Sequence, residues 1–205
     1  MARAYSLAYL SSHRCTPPEA VRVAAANGYQ FVGLRLWPNA PGAPQQFLLG
    51  EPEVLKETQA VMADTGVGIF DVEIIRIGED FDPHTWDALY GACAALKAKA
   101  ILIAGDDPIE SRLTQNYARL CEVMQPYGLT ADLEFMPWTA VKDAKSALRS
   151  CRTQVHRPTP ASWSMRCTSA ARTPRWMTSA PSRANCCTTR RSATPWPART
   201  SRSKK

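Results

Sequence analysis

Carboxylates and arginines set inside otherwise apolar runs are the residues of this chain whose types could do chemistry. In "DLEFMPW" Glu134 stands near the end of a strand-like segment, in "GLRL" Arg35 does the same, and in "VGIFDVEIIRI" Glu73 lies late in the run. A carboxylate in such a place is costly to bury unless it binds a cation or meets a positive group. Glu134 is therefore read as a metal ligand, with a structural ion pair as the alternative. For Glu73 two readings stand side by side, a group of the site or a salt bridge to Arg35 or Arg76. Asp106 and Asp107 precede Pro108 and read as caps of the helix that follows. Trp37 and Trp138 end their segments, where they could wall a pocket or simply pack. His13 and His84 fall in loop and helix-start positions, where solvated histidine is the ordinary state. The seven cysteines form no C-x-x-C pair suited to zinc or redox work, and they read as free thiols of a cytoplasmic protein. No apolar run is long enough to span a bilayer.

These residues need elements to position them, and the first 149 residues alternate between two periods. Strands are expected at Ala4 to Leu10, Phe31 to Trp37, Val67 to Ile77, Ala98 to Gly105 and Leu129 to Trp138. Between and after them run helices at Pro17 to Gly28, Glu51 to Gly66, Asp82 to Ala98, Pro108 to Gly128 and Ala140 to Arg149. Several of these helices open on proline or close on glycine. Strict alternation implies an α/β fold with a parallel sheet of about five βα units. No glycine-rich phosphate loop follows the first strand, which disfavours a dinucleotide-binding fold and favours a (β/α) barrel. In such barrels chemistry collects at the carboxyl ends of the strands, where Arg35, Glu73, Asp106, Asp107 and Glu134 fall.

The runs "PPEAVRVAAANGYQFVGLRLWP", "VGIFDVEIIRI" and above all "LTADLEFMPWTAV" resemble the amino-terminal half of the sugar phosphate isomerase/epimerase family, whose fold is the xylose isomerase-like TIM barrel. The resemblance covers residues 4 to 149. It implies a divalent cation (manganese, magnesium, cobalt or zinc) held at the barrel mouth by carboxylates and histidine. It also implies a proton shift between adjacent carbons of a sugar, sugar phosphate or hydroxy-ketone. By the same resemblance Glu134 is the first metal-binding carboxylate and the catalytic one. Arg35 and Glu73 are substrate-side or supporting groups, and Trp138 borders the substrate. DNA-repair enzymes of the endonuclease IV type share this barrel, but their trinuclear site is rich in histidine and this chain has only 3.

From Ser150 onward the chain changes character. Residues 150–205 contain no Asp, Glu, Gly, Leu, Ile, Phe or Tyr, and they hold 12 of the 25 basic residues. Residues 1–149 hold the other 13 basic residues and all 18 acidic ones, so the two parts carry net charges of −5 and +12. The segment cannot bury enough apolar area to fold and is expected to be a disordered tail able to bind polyanions without sequence preference.

The codons behind the tail point to its origin. Trp163 is encoded only by TGG and Met165 only by ATG. With TCN for Ser164 and Ser169 and CGN for Arg166, reading one nucleotide earlier permits "LVDALHF" in place of "WSMRCTS". That string carries the aspartate and, three residues on, the histidine that the resemblance implies for a sixth strand. The same shift permits "PNAG" at Pro158 to Ala161 and forces two leucines at "NCCTT". The tail therefore reads as a frameshifted carboxy-terminal half, with the frame lost between about Lys145 and Cys151. A truncated barrel of this kind is expected to be inactive, to leave its first and fifth strands as open edges, and to expose barrel-facing Leu7 and Leu133.

Overall fold

The structure, a computed structural model, describes residues 3–38, 51–152 and the backbone of 166–168. Its sheet has six parallel strands in chain order: β1 (Ser6–Leu7), β2 (Phe31–Arg35), β3 (Gly68–Ile77), β4 (Ala100–Gly105), β5 (Thr130–Glu134) and β6 (Arg166–Thr168). The helices between them are α1 (Pro17–Ala26), α2 (Pro52–Thr65), α3 (Asp87–Ala95), α4 (Glu110–Met124) and α5 (Ala144–Arg152). Because each right-handed crossover advances the sheet in the same direction, the helices cover one face, as in a barrel, instead of alternating between two.

Local chemistry sets the helix ends. At the start of α1 the Thr16 N–H donates to the Glu19 carboxylate at 2.7 Å, and Pro17 and Pro18 occupy a turn that has no use for their missing donors. Helix α2 stops at Gly66, whose φ of 72° suits a residue without Cβ, and its N–H donates to the Met62 carbonyl at 2.9 Å. Asp143 receives the Ser146 N–H at 2.8 Å and opens α5.

Helix-facing residues of the strands, among them Val32, Leu34, Ile69, Val72, Ile75, Ile101, Ile103, Ala131 and Leu133, pack against Val21, Leu89, Leu113, Tyr117 and Leu120 in one core. A second, small cluster of Ile74, Leu102 and Ala104, with Met136 against it, lies on the other face, which is the barrel interior. Leu133 is thus fully buried on the helix side, not exposed in the barrel as expected. Leu7 is half-buried against the same core.

The five-unit partial barrel stands, with differences at its margins. The first strand is only two residues, followed by a 3-10 turn at Tyr9–Ser11. A 3-10 turn at Pro83–Trp86 precedes α3. Strand β5 ends at Glu134, four residues before Trp138: Pro137 has no N–H to donate, and the Thr139 hydroxyl bridges the carbonyls of Met136 and Val141 at 2.9 Å each, turning the chain. Helix α5 runs on through Arg152, burying Ser150 and Cys151. Strand β5 is not an open edge, since β6 pairs with it in the register Asp132↔Arg166, Leu133↔Cys167 and Glu134↔Thr168. The rest of the expected disordered tail, including His156, lies outside the described residues. Among the described residues no helix is long and apolar enough to cross a membrane.

Candidate functional site

The interior face is built from the alternate residues left over once the helix side has been filled. On β2, Val32, Leu34 and the following Leu36 belong to the helix-side core, so Gly33 and Arg35 turn inward. On β3 the register slips between Val72 and Ile75, both of which belong to the helix side. The two residues between them, Glu73 and Ile74, are therefore free to face the barrel together, and Ile74 joins the interior cluster. Asp132 and Glu134 flank helix-side Leu133 and stand in register with interior Leu102 and Ala104.

Arg35 and Glu73 are register partners, and one guanidinium amino group donates to the Glu73 carboxylate at 3.2 Å. Of the two salt bridges open to Glu73, it takes the one to Arg35. The guanidinium carbon lies 4.4 Å from the centroid of the buried Tyr9 ring, so the arginine is held by a carboxylate and by an aromatic face. Its Nε is buried without a hydrogen-bond partner. Below this pair, a Cβ on Gly33 would collide with the Asp71 carboxylate, so only glycine lets that acid lie against β2.

The other acids are distributed more widely than the sequence suggests. Glu134 is half-buried at the end of β5, level with Ala104 and, beyond it, Arg76. Glu73 sits one layer lower and two strands away, a lateral separation of about 10 Å at the usual strand spacing. Asp132, which was not singled out in the sequence, is only 1% exposed and accepts the Thr130 hydroxyl at 3.1 Å. The signal for it was present, because two acids flanking one leucine in a strand must share a face.

Asp106 and Asp107 organise the mouth instead of occupying it. Arg76 donates to Asp106 at 2.7 Å. Asp107, fully buried, accepts the Ile109 N–H at 2.8 Å just before α4, and it takes Arg112 in a two-pronged pair at 2.6 and 2.9 Å. The Arg112 hydrogen bonds, aided by the Ile109 N–H, hold the Asp107 carboxyl below its usual range. Trp138 is 76% exposed on the loop after β5. Trp37 packs edge-on to Trp86, with ring centroids 5.0 Å apart. His13 and His84 are held locally, at the Leu10 carbonyl (3.0 Å) and beside Asp87 (3.4 Å).

A hard divalent cation takes several oxygen donors at once. Among the described residues no group of three or more His, Cys, Asp or Glu side chains converges on one point. Glu73 is committed to Arg35, and Glu134 lies in a different layer. The donor set among the described residues does not fit the divalent cation implied for the intact barrel.

Solved structures share this architecture. A xylose isomerase domain containing protein from Salmonella typhimurium LT2 superposes with a TM-score of 0.62 at 10% identity, covering 82% of this chain and 62% of that one. The IolI protein with a bound zinc atom gives 0.59 at 12% identity, covering 75% and 60%. An AP endonuclease of family 2 from Brucella melitensis gives 0.57 at 15%, covering 76% and 66%. This chain has the fold of a partial TIM barrel. It spans less than two thirds of the length of these barrels. No protein-family model matches the sequence, and no curated protein sequence matches it. At such identities the fold is what is shared.

Proposed function

We propose that this chain is the amino-terminal five-unit part of a metal-dependent sugar or sugar phosphate isomerase or epimerase barrel, continued from about residue 150 in a shifted reading frame, and that it does not catalyse that reaction as it stands. The observation that carries the reading is the placement of Glu134. It lies on the interior face at the carboxyl end of β5, the position at which this fold collects chemistry, while the described residues gather no set of ligands around it. In this reading Glu134 is the carboxylate of the parent site that would bind the cation and move the proton. Arg35 and Glu73 form its supporting pair, and Trp138 borders the mouth. The chain belongs in the cytoplasm, consistent with free thiols at Cys15, Cys93, Cys121 and Cys151, of which Cys93 and Cys121 are pushed by burial up to about 12 and kept unreactive.

Calorimetric titration with manganese tests the proposal, using the 205-residue chain, a frame-restored chain and the Glu134→Gln variant of the latter. The expected outcome is binding of about micromolar affinity by the frame-restored chain alone, lost in the variant. Specific binding by the 205-residue chain, or sugar turnover by it that Glu134→Gln abolishes, overturns the reading. Sequencing the coding DNA around the Ser150 codon tests the frame change directly: a stop-free reading one nucleotide back containing "VDALHF" is expected.

The charge split supports a second reading, in which the basic 150–205 segment binds polyanions. Affinity for duplex DNA that falls steeply with salt and ignores sequence is its signature. An endonuclease-like site gains no support from His13 and His84, which are both exposed and locally held.

A further inference from the structure

Strand β6 is drawn from a segment whose composition carries no strand signal. Arg-Cys-Thr sits in a stretch without leucine, isoleucine or phenylalanine, so apart from Thr168 its own β-propensity gives little reason for a strand there. What the segment meets is the edge of β5. An unpaired strand edge is a row of backbone donors and acceptors ready to take any extended chain. The ladder that forms runs parallel, continues the chain order of the sheet, and sets Arg166 in register with Asp132, a carboxylate only 1% exposed. Charge favours the encounter at long range, since the part bearing β5 is at −5 and the part bearing β6 at +12.

We propose that Arg166–Thr168 is an edge cap, a segment of this chain that occupies the sixth-strand place, satisfies the backbone of β5 and keeps that edge from pairing with a second copy of the protein. The cap acts through its main chain, so it works with a sequence unlike that of a barrel strand. Its occupancy also gives this polypeptide a way to stay soluble that a five-stranded sheet alone lacks.

The test uses the 205-residue chain with Arg166→Pro and Cys167→Pro combined, beside Arg166→Ala combined with Cys167→Ala. Successive N–H groups of a strand point to opposite sides, so proline at both positions removes whichever donor faces β5. Hydrogen exchange over residues 130–134 and mass by light scattering are the readouts. The cap predicts that the double-proline chain loses protection in β5 by tenfold or more, while β2, β3 and β4 stay protected, and that its mass shifts to dimers or larger species. The double-alanine chain should keep both wild-type protection and wild-type mass. A double-proline chain with unchanged β5 protection and mass overturns the proposal. So does loss of protection spread equally over β2 to β4, which would make the segment an integral part of the folded sheet.

Discussion

The two faces of the sheet carry opposite kinds of residue, and adjacent positions on one strand show it best. Ile103 points to the helices and joins a core that includes Val72, Ile75, Leu113 and Tyr117, whereas Leu102 points into the barrel and shares a cluster with only Ile74, Ala104 and Met136. Both are nearly inaccessible, at 0% and 3% exposed. The helix side is a closed apolar interior, and the barrel side mixes a few aliphatics with Arg35, Glu73, Asp132 and Glu134. Stability therefore resides on one face and the charged side chains gather on the other. The largest expected effect follows from this difference. Ile103→Ala should cost about 4 kcal/mol, because rigid neighbours surround the cavity, and Leu102→Ala about 2 kcal/mol, because its smaller cluster collapses more readily. Urea unfolding of the two variants measures the gap, and equal losses would mean that the faces do not differ as described.

The Arg35–Glu73 pair sharpens the same contrast. Its side chains are 18% and 7% exposed, and Arg35 Nε is buried without a partner, so the pair is desolvated and incompletely compensated. Removing only the arginine leaves a buried carboxylate, and Arg35→Ala should cost about 3 kcal/mol. Replacing both members, Arg35→Met with Glu73→Leu, should be close to neutral or stabilising, since an apolar pair of similar volume avoids the desolvation. A double variant as damaged as the single one would show instead that the ion pair itself supports the fold.

Legibility in the sequence divides along similar lines. The helices were readable because proline, glycine and the 3.6 period agree with one another, as at Pro17 and Gly66. The position of Glu134, at the end of β5 on the interior face, was readable because a carboxylate in an apolar strand is costly to turn toward the helices. The partner of Glu73 was not, since Arg35 and Arg76 were both available and a contact 38 residues apart depends on strand register. The slip between Val72 and Ile75, which turns Glu73 and Ile74 inward together, leaves no mark in a string that alternates either way. Leu133 was assigned to the wrong face because its apolar character was taken to mean the barrel interior, when its acidic neighbours occupy that side. The place of β6 was reached only through the codons, since "WSMRCTS" stands where the resemblance puts a sixth strand, while the residues Arg166–Thr168 as written carry no alternation that marks a strand.

The smallest expected effect lies at the mouth, where charge organises a loop rather than a core. Asp107 has its carboxyl held below the ordinary range first by the Arg112 hydrogen bonds, with further help from the Ile109 N–H. The same direction holds for Asp143 through Ser146 and for Glu110 through Arg149. A group whose folded pKa lies below its unfolded value binds protons more weakly when folded. Its contribution to stability is therefore complete above the unfolded pKa, about 4 for an aspartate, and fades as pH falls through the folded value. Thermal melts followed by far-ultraviolet circular dichroism should thus move to lower temperature between about pH 4 and pH 2. Asp107→Asn keeps a side-chain oxygen to accept the Ile109 N–H but loses the charged pair with Arg112. It should melt below the wild-type chain at pH 7 and converge with it at the acid end, where the wild-type carboxyl is also protonated. Melting curves that stay parallel across the whole range would mean that Arg112 contributes nothing through Asp107 and that the loop before α4 is fixed by its backbone alone.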